Sequence, residues 1–96
     1  MRLSKYYIET IKTTTRQYFG EDAKVWLFGS RVDDSKKGGD IDLYIETDKA
    51  VGIEDKIKFT VRLQVLLGDQ KIDVVVKNKQ YPEKEIHRIA KKGIEL

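Results

Sequence analysis

The 96-residue chain carries 19 Lys and Arg against 16 Asp and Glu, a formal net charge of +3, and it contains no cysteine. That length fits one domain, residues 1–96, without a separate substrate-holding domain, so a macromolecular acceptor must sit on the surface or arrive with another protein. The missing cysteines exclude disulfides, thiolate zinc sites and cysteine nucleophiles. No apolar run reaches the length of a membrane span and the N-terminus has no uninterrupted signal-like stretch, so a cytoplasmic protein is expected. The mild positive charge is compatible with phosphate-rich ligands. Lys36-Lys37 and Lys91-Lys92 read as solvated surface.

In chain order, Leu3 to Phe19 predicts a helix, with Tyr7, Ile11 and Tyr18 at helical spacing among polar residues. Gly20-Glu21-Asp22 ends it. Lys24 to Phe28 is short, apolar and rich in strand formers, and reads as a buried strand containing Trp26 as a core residue. Gly29 to Gly39 is polar and glycine-bearing, a loop or a single helical turn inside a loop. Asp40 to Glu46 settles into a second strand. From about Ala50 to Leu67 the pattern is helical, with Ile53, Ile57, Val61 and Val65 one turn apart. Lys71 to Val76 is a third strand, almost wholly β-branched. Pro82 stands where a last helix could begin, with Glu83 and Glu85 early and Lys91 and Lys92 late, as helix ends favour. Helices separating short strands predict an α/β (α+β) sandwich: a short mixed β-sheet flanked by helices.

Three sets of residues carry chemistry. Residues two apart on a strand share a face, so Asp40 and Asp42 are expected side by side, with Ile41 and Leu43 in the core behind them. Adjacent carboxylates repel unless a cation lies between them, and Mg²⁺ takes one or two carboxylates together with substrate phosphates. A bare Asp-x-Asp is more often an edge or turn feature, but acids opening an apolar strand are costly unless they lie at its open end. Gly29-Ser30 follows a strand directly: the glycine permits a sharp turn, the backbone N–H groups can approach an anion, and the Ser30 hydroxyl adds a donor. Asp73 interrupts an apolar strand, where it is either paired with a Lys or Arg or set beside Asp40 and Asp42 across the sheet. His87, the lone histidine, reads as a surface residue beside Glu85 and Arg88. The five tyrosines are scattered and form no base-stacking platform, and no direct nucleic-acid binding is expected.

Phe28-Gly29-Ser30, nine intervening residues, Asp40-Ile41-Asp42-Leu43 and then Asp73 in a later apolar strand resemble the nucleotidyltransferase superfamily that includes DNA polymerase β. The short chain resembles its minimal nucleotidyltransferase (MNT) branch. The resemblance implies the small nucleotidyltransferase fold, with Asp40, Asp42 and Asp73 holding two Mg²⁺ ions and Gly29 and Ser30 holding the triphosphate of ATP. It implies in-line attack on the α-phosphate, Asp42 and Asp73 lying nearest the metal that activates the acceptor hydroxyl and Asp42 serving as its base. It further implies an antitoxin that transfers AMP to a tyrosine of a partner HEPN-domain toxin. The exposed faces of the first and last helices are candidate docking surfaces, though nothing in the sequence singles them out. Two other readings are an antitoxin that acts by binding alone and a transferase acting on a small molecule. Gly39 departs from the Ser that many relatives carry there. Arg31, Lys36 and Lys37 are candidate phosphate contacts, in a loop that also carries the extra acids Asp33 and Asp34.

Overall fold

The computed structural model describes residues 3–32 and 39–96. Helix α1 (Lys5–Phe19) is capped by Ser4, whose side chain accepts from the Tyr7 N–H, and it ends at Gly20. Strand β1 (Lys24–Phe28) leads into a 3₁₀ turn, Gly29–Val32. Strand β2 (Ile41–Thr47), helix α2 (Ile53–Leu67) and strand β3 (Ile72–Asn78) follow, then a short helix α3 (Glu85–Ala90) and a two-residue strand β4 (Ile94–Glu95). The expected α+β fold, a mixed sheet flanked by helices, is therefore present. Its strand order is β3-β2-β1-β4. β1 runs antiparallel to both neighbours, while β2 and β3 pair in parallel across the α2 crossover.

Strand alternation divides the core in two. Val25 and Leu27 of β1, Ile41, Leu43 and Ile45 of β2 and Ile72 and Val74 of β3 face α1 and α2, where they meet Ile11, Phe19, Phe59, Leu63 and Leu67. The Phe19 and Phe59 rings meet edge to face, 5.0 Å between centroids. Such fully buried aromatics dominate the stability of so small a core, and truncating one to Ala costs about 3–5 kcal/mol. The other sheet face presents Trp26 and Tyr44, covered by Ala90 of α3 with Phe28 and Val75 at the margin.

A polar network fastens α3 to the sheet. The Tyr44 hydroxyl donates to Glu46 Oε2 at 2.7 Å, and Lys91 Nζ bridges Glu46 (3.1 Å) and Glu83 (3.3 Å). The Lys91 ammonium also stands 5.7 Å from the centre of the Trp26 ring. Burial raises the pKa of the Glu46 carboxyl, but the bonds from Tyr44 and Lys91 outweigh it and leave the group below its ordinary range. Burial together with the Glu46 bond raises the Tyr44 phenol in turn.

Three expectations are corrected. The last helix does not begin at Pro82 but at Glu85, because the His87 ring turns back to accept the Lys84 N–H at Nδ1 (2.9 Å) and fixes the start there. His87 is consequently not a surface residue: it is 8% exposed and stacks on Tyr44. Burial, then Lys77 and Lys84, hold its pKa below the usual imidazole value. The chain after α3 adds β4 to the β1 edge, an element too short to show periodicity. Trp26 is a core residue as expected, 7% exposed.

Candidate active site

Asp42 and Asp73 are direct partners in the parallel β2–β3 register. Both belong to the sheet face that carries Tyr44 and Val75, and both lie at the N-terminal ends of their strands. α3 has six residues, about 9 Å of helix, against seven residues for β2, about 23 Å of strand. It covers the Trp26–Tyr44 stretch and is too short to extend over the acidic end as well. Asp42 is half-buried there and Asp73 exposed, which is how an apolar strand carries an acid without burying its charge.

β1 closes the third side. Phe28 is the register partner of Asp42, and the chain turns at the next residue, Gly29, with φ +77°. A Cβ on Gly29 would overlap Asp42 Oδ2 and fall 3.0 Å from its Cγ. Only a residue without a side chain lets the backbone turn so closely over that carboxylate. The described loop resumes at Gly39, whose φ of +95° again lies in the left-handed region. This gives a physical reason for glycine at this position. The Ser30 side chain and Asp33, Asp34, Lys36 and Lys37 lie outside the described residues, and with them the suggested phosphate contacts of the two lysines.

The three acids are not equivalent. Burial raises the Asp42 pKa, and the charges of Asp73 and Asp40 raise it further. A hydrogen bond between Asp42 and Asp73 acts in the same direction, while Lys71 opposes them. Asp42 and Asp73 thus form a coupled carboxyl pair. Asp40 precedes β2 rather than opening it, and its carboxylate meets Lys71 Nζ at 3.5 Å. That ion pair is solvent-exposed, 70% for Lys71 and 40% for Asp40, and contributes little to stability. Among the described residues no three acidic, histidine or cysteine side chains converge as a ready-made metal centre. The donor chemistry nevertheless fits a hard divalent cation. Asp42 and Asp73 are oxygen donors whose repulsion a cation would relieve, and among the described residues Asp40 is paired with an exposed lysine.

Sequence reasoning missed the supports of this site. Arg31 donates from Nε to the Gly39 carbonyl (3.3 Å) and from Nη2 to Gln70 Oε1 (3.0 Å). Gln70 Nε2 donates to the Tyr7 hydroxyl, which donates to the Leu67 carbonyl at 3.0 Å. A hollow of about 460 Å³ lies against Leu3, Ser4, Tyr7, Arg31 and Gln70. Lys71 and Gln70 could have been suspected from position alone, since they lead directly into the strand that carries Asp73.

The family comparison agrees with this geometry. Residues 9–96 match the model described as Polymerase beta, Nucleotidyltransferase. The chain belongs to that family, a nucleotidyltransferase domain of the DNA-polymerase-β-like superfamily. A search of curated proteins finds no match. No helix among the described residues is long and apolar enough to cross a membrane.

Proposed function

We propose that this nucleotidyltransferase domain transfers AMP from ATP to a hydroxyl of a partner protein, a tyrosine of a HEPN-domain toxin, and so acts as an antitoxin. The observation that carries the transferase reading is the Asp42–Asp73 pair, in register across two parallel strands on a stretch of sheet beyond α3, with the Gly29 turn packed on Asp42. The exposure of Asp73 beside the half-buried Asp42 supports a protein acceptor that brings its own hydroxyl to the carboxylates.

Asp42, Asp73 and Asp40 would hold Mg²⁺, two ions in all; bound there, the cations supply charge neutralisation for the phosphates and for the two oxygens exchanged at phosphorus. The acceptor oxygen bonds to the α-phosphorus as the bond to the bridging oxygen breaks and pyrophosphate leaves. Asp42 takes the hydroxyl proton. The Gly29 turn and Ser30 receive the triphosphate, with Arg31 beside them.

The test incubates the protein with α-labelled ATP, Mg²⁺ and the HEPN partner. Label on the toxin, lost in Asp42→Asn, is expected. Full neutralisation without label would replace this reading with an antitoxin that acts by binding alone. Label on small-molecule hydroxyls but never on protein would favour the remaining alternative.

A further inference from the structure

Helix α2 carries two apolar ridges, and only one is used by the core. Phe59, Leu63 and Leu67 are buried under the sheet, whereas Ile53, Ile57, Val61 and Val65 are 74%, 54%, 52% and 67% exposed. The exposed four recur every four residues and form one continuous ridge along the helix. β-Branched residues at exposed helix positions are favoured neither by helix propensity nor by water. A groove of about 310 Å³ runs beside the ridge, between it and Tyr18 of α1. An i±4 ridge next to a groove is the surface that a second helix packs into.

Flanking charge indicates which helix. Lys56, Lys58 and Arg62 border the ridge and are exposed, and among the described residues none of them is in an ion pair. On the acidic side, Asp55 is occupied in capping the helix through the Gly52 N–H (3.0 Å), which leaves Glu54. Two copies of α2 packed on each other would set three cations against three, so a second copy fits poorly. A lipid surface fits poorly too. The ridge is one residue wide and without Trp, Phe or Leu, unlike the broad apolar face of an interfacial helix.

We propose that the α2 ridge is a docking surface for a helix of another protein, one whose apolar ridge is flanked by Glu and Asp. It is a site separate from the carboxylates and stands whether or not transfer occurs.

Two synthetic helical peptides as long as α2 test this, both with leucines every fourth residue, one flanked by Glu and one by Lys. The Glu-flanked peptide is expected to bind about tenfold more tightly, the sum expected of three exposed ion pairs, and the preference should shrink in high salt. Its methyl shift changes should fall on Ile53, Ile57, Val61 and Val65. Val61→Glu should abolish binding, and Lys58→Glu with Arg62→Glu should turn the preference towards the Lys-flanked peptide. Asp42→Asn should bind like the wild type, which separates this result from any failure of the transferase reading. Equal binding of both peptides, or of neither, overturns the proposal. So does a dimer in sedimentation that Val61→Glu dissolves, or binding to phosphatidylserine vesicles in preference to the Glu-flanked peptide.

Discussion

Gly29 and Asp42 are packed so closely that no side chain fits on the glycine: its Cβ would overlap the carboxylate, with Asp42 Cβ itself 3.3 Å away. The turn that leaves β1 and the acid that enters β2 therefore specify each other. With Asp73 placed beside Asp42 by strand register, three elements distant in sequence converge on one carboxyl pair.

Gly29→Ala tests this contact. The new methyl meets both a backbone with φ +77° and the Asp42 carboxylate, and a non-glycine residue held in such a conformation costs about 1–3 kcal/mol. Denaturant unfolding should show that loss, and nucleotidyl transfer should vanish. In an Asp42→Ala background the same substitution should cost less, because the carboxylate it strikes is gone. Additive losses in that double-mutant cycle would show that Gly29 serves its turn alone.

Asp42→Asn should stabilise the protein in chelator at neutral pH. The folded-state pKa of Asp42 is raised above 3.8, by burial first and then by Asp73 and Asp40. A raised carboxyl pKa makes the charged form unfavourable in the fold, so the cost appears as pH climbs from the unfolded value and persists above the folded one. The melting temperature of the variant should thus exceed the wild type at neutral pH, and the gain should disappear below about pH 3.8. Added Mg²⁺ should raise the wild-type melting temperature and leave the variant unmoved.

The fold and the core of the site could be read from the sequence because they rest on short-range rules. β1 occupies the predicted Lys24–Phe28; alternation set Asp42 beside Asp40 and left two places open for Asp73, and the parallel register puts Asp73 beside Asp42. What escaped depends on choices between alternatives. Periodicity marks α2 as a helix through Ile53, Ile57, Val61 and Val65, yet the bulkier Phe59–Leu63–Leu67 ridge took the core, since it alone fills the space against Phe19. His87 read as exposed because its neighbours are charged; nothing local announces that its ring caps its own helix and stacks on Tyr44. Asp40 stands one residue outside the strand, and its lysine partner comes from β3's approach, a contact made only by the parallel crossover.

Tyr44→Phe should destabilise by about 1.5 kcal/mol at neutral pH, the usual scale for losing a hydrogen bond to a charged group. The hydroxyl donates to Glu46 at 2.7 Å and helps hold that carboxyl below its ordinary pKa. A depressed carboxyl pKa contributes stability above the unfolded value of 4.5, and that contribution is lost as pH falls through the folded pKa. The gap between wild type and variant should accordingly narrow in urea titrations run below pH 4.5. A gap that stays constant with pH would assign the loss to packing against Trp26 and His87.

Gln70→Leu probes the loop support, and it needs two readouts. Gln70 accepts from Arg31 and donates to the Tyr7 hydroxyl, so it links α1 to the loop that joins the Gly29 turn to Asp40. Arg31 in turn holds the Gly39 carbonyl, one residue before Asp40. Leucine keeps the volume and removes these two bonds together with the one Gln70 Nε2 donates to the Leu67 carbonyl at 3.2 Å, which should lower stability by about 1–2 kcal/mol. If Arg31 is set for a phosphate by this chain of bonds, ATP affinity measured by calorimetry should fall several-fold as well. Tyr7→Phe is the comparison: it loses the bond to the Leu67 carbonyl and the bond from Gln70 Nε2 but leaves the Arg31–Gln70 bond in place, so it should cost stability with a smaller effect on ATP than Gln70→Leu. Equal losses of ATP affinity in both variants would mean that α1 stabilises the site only in general, and that Gln70 does not position Arg31.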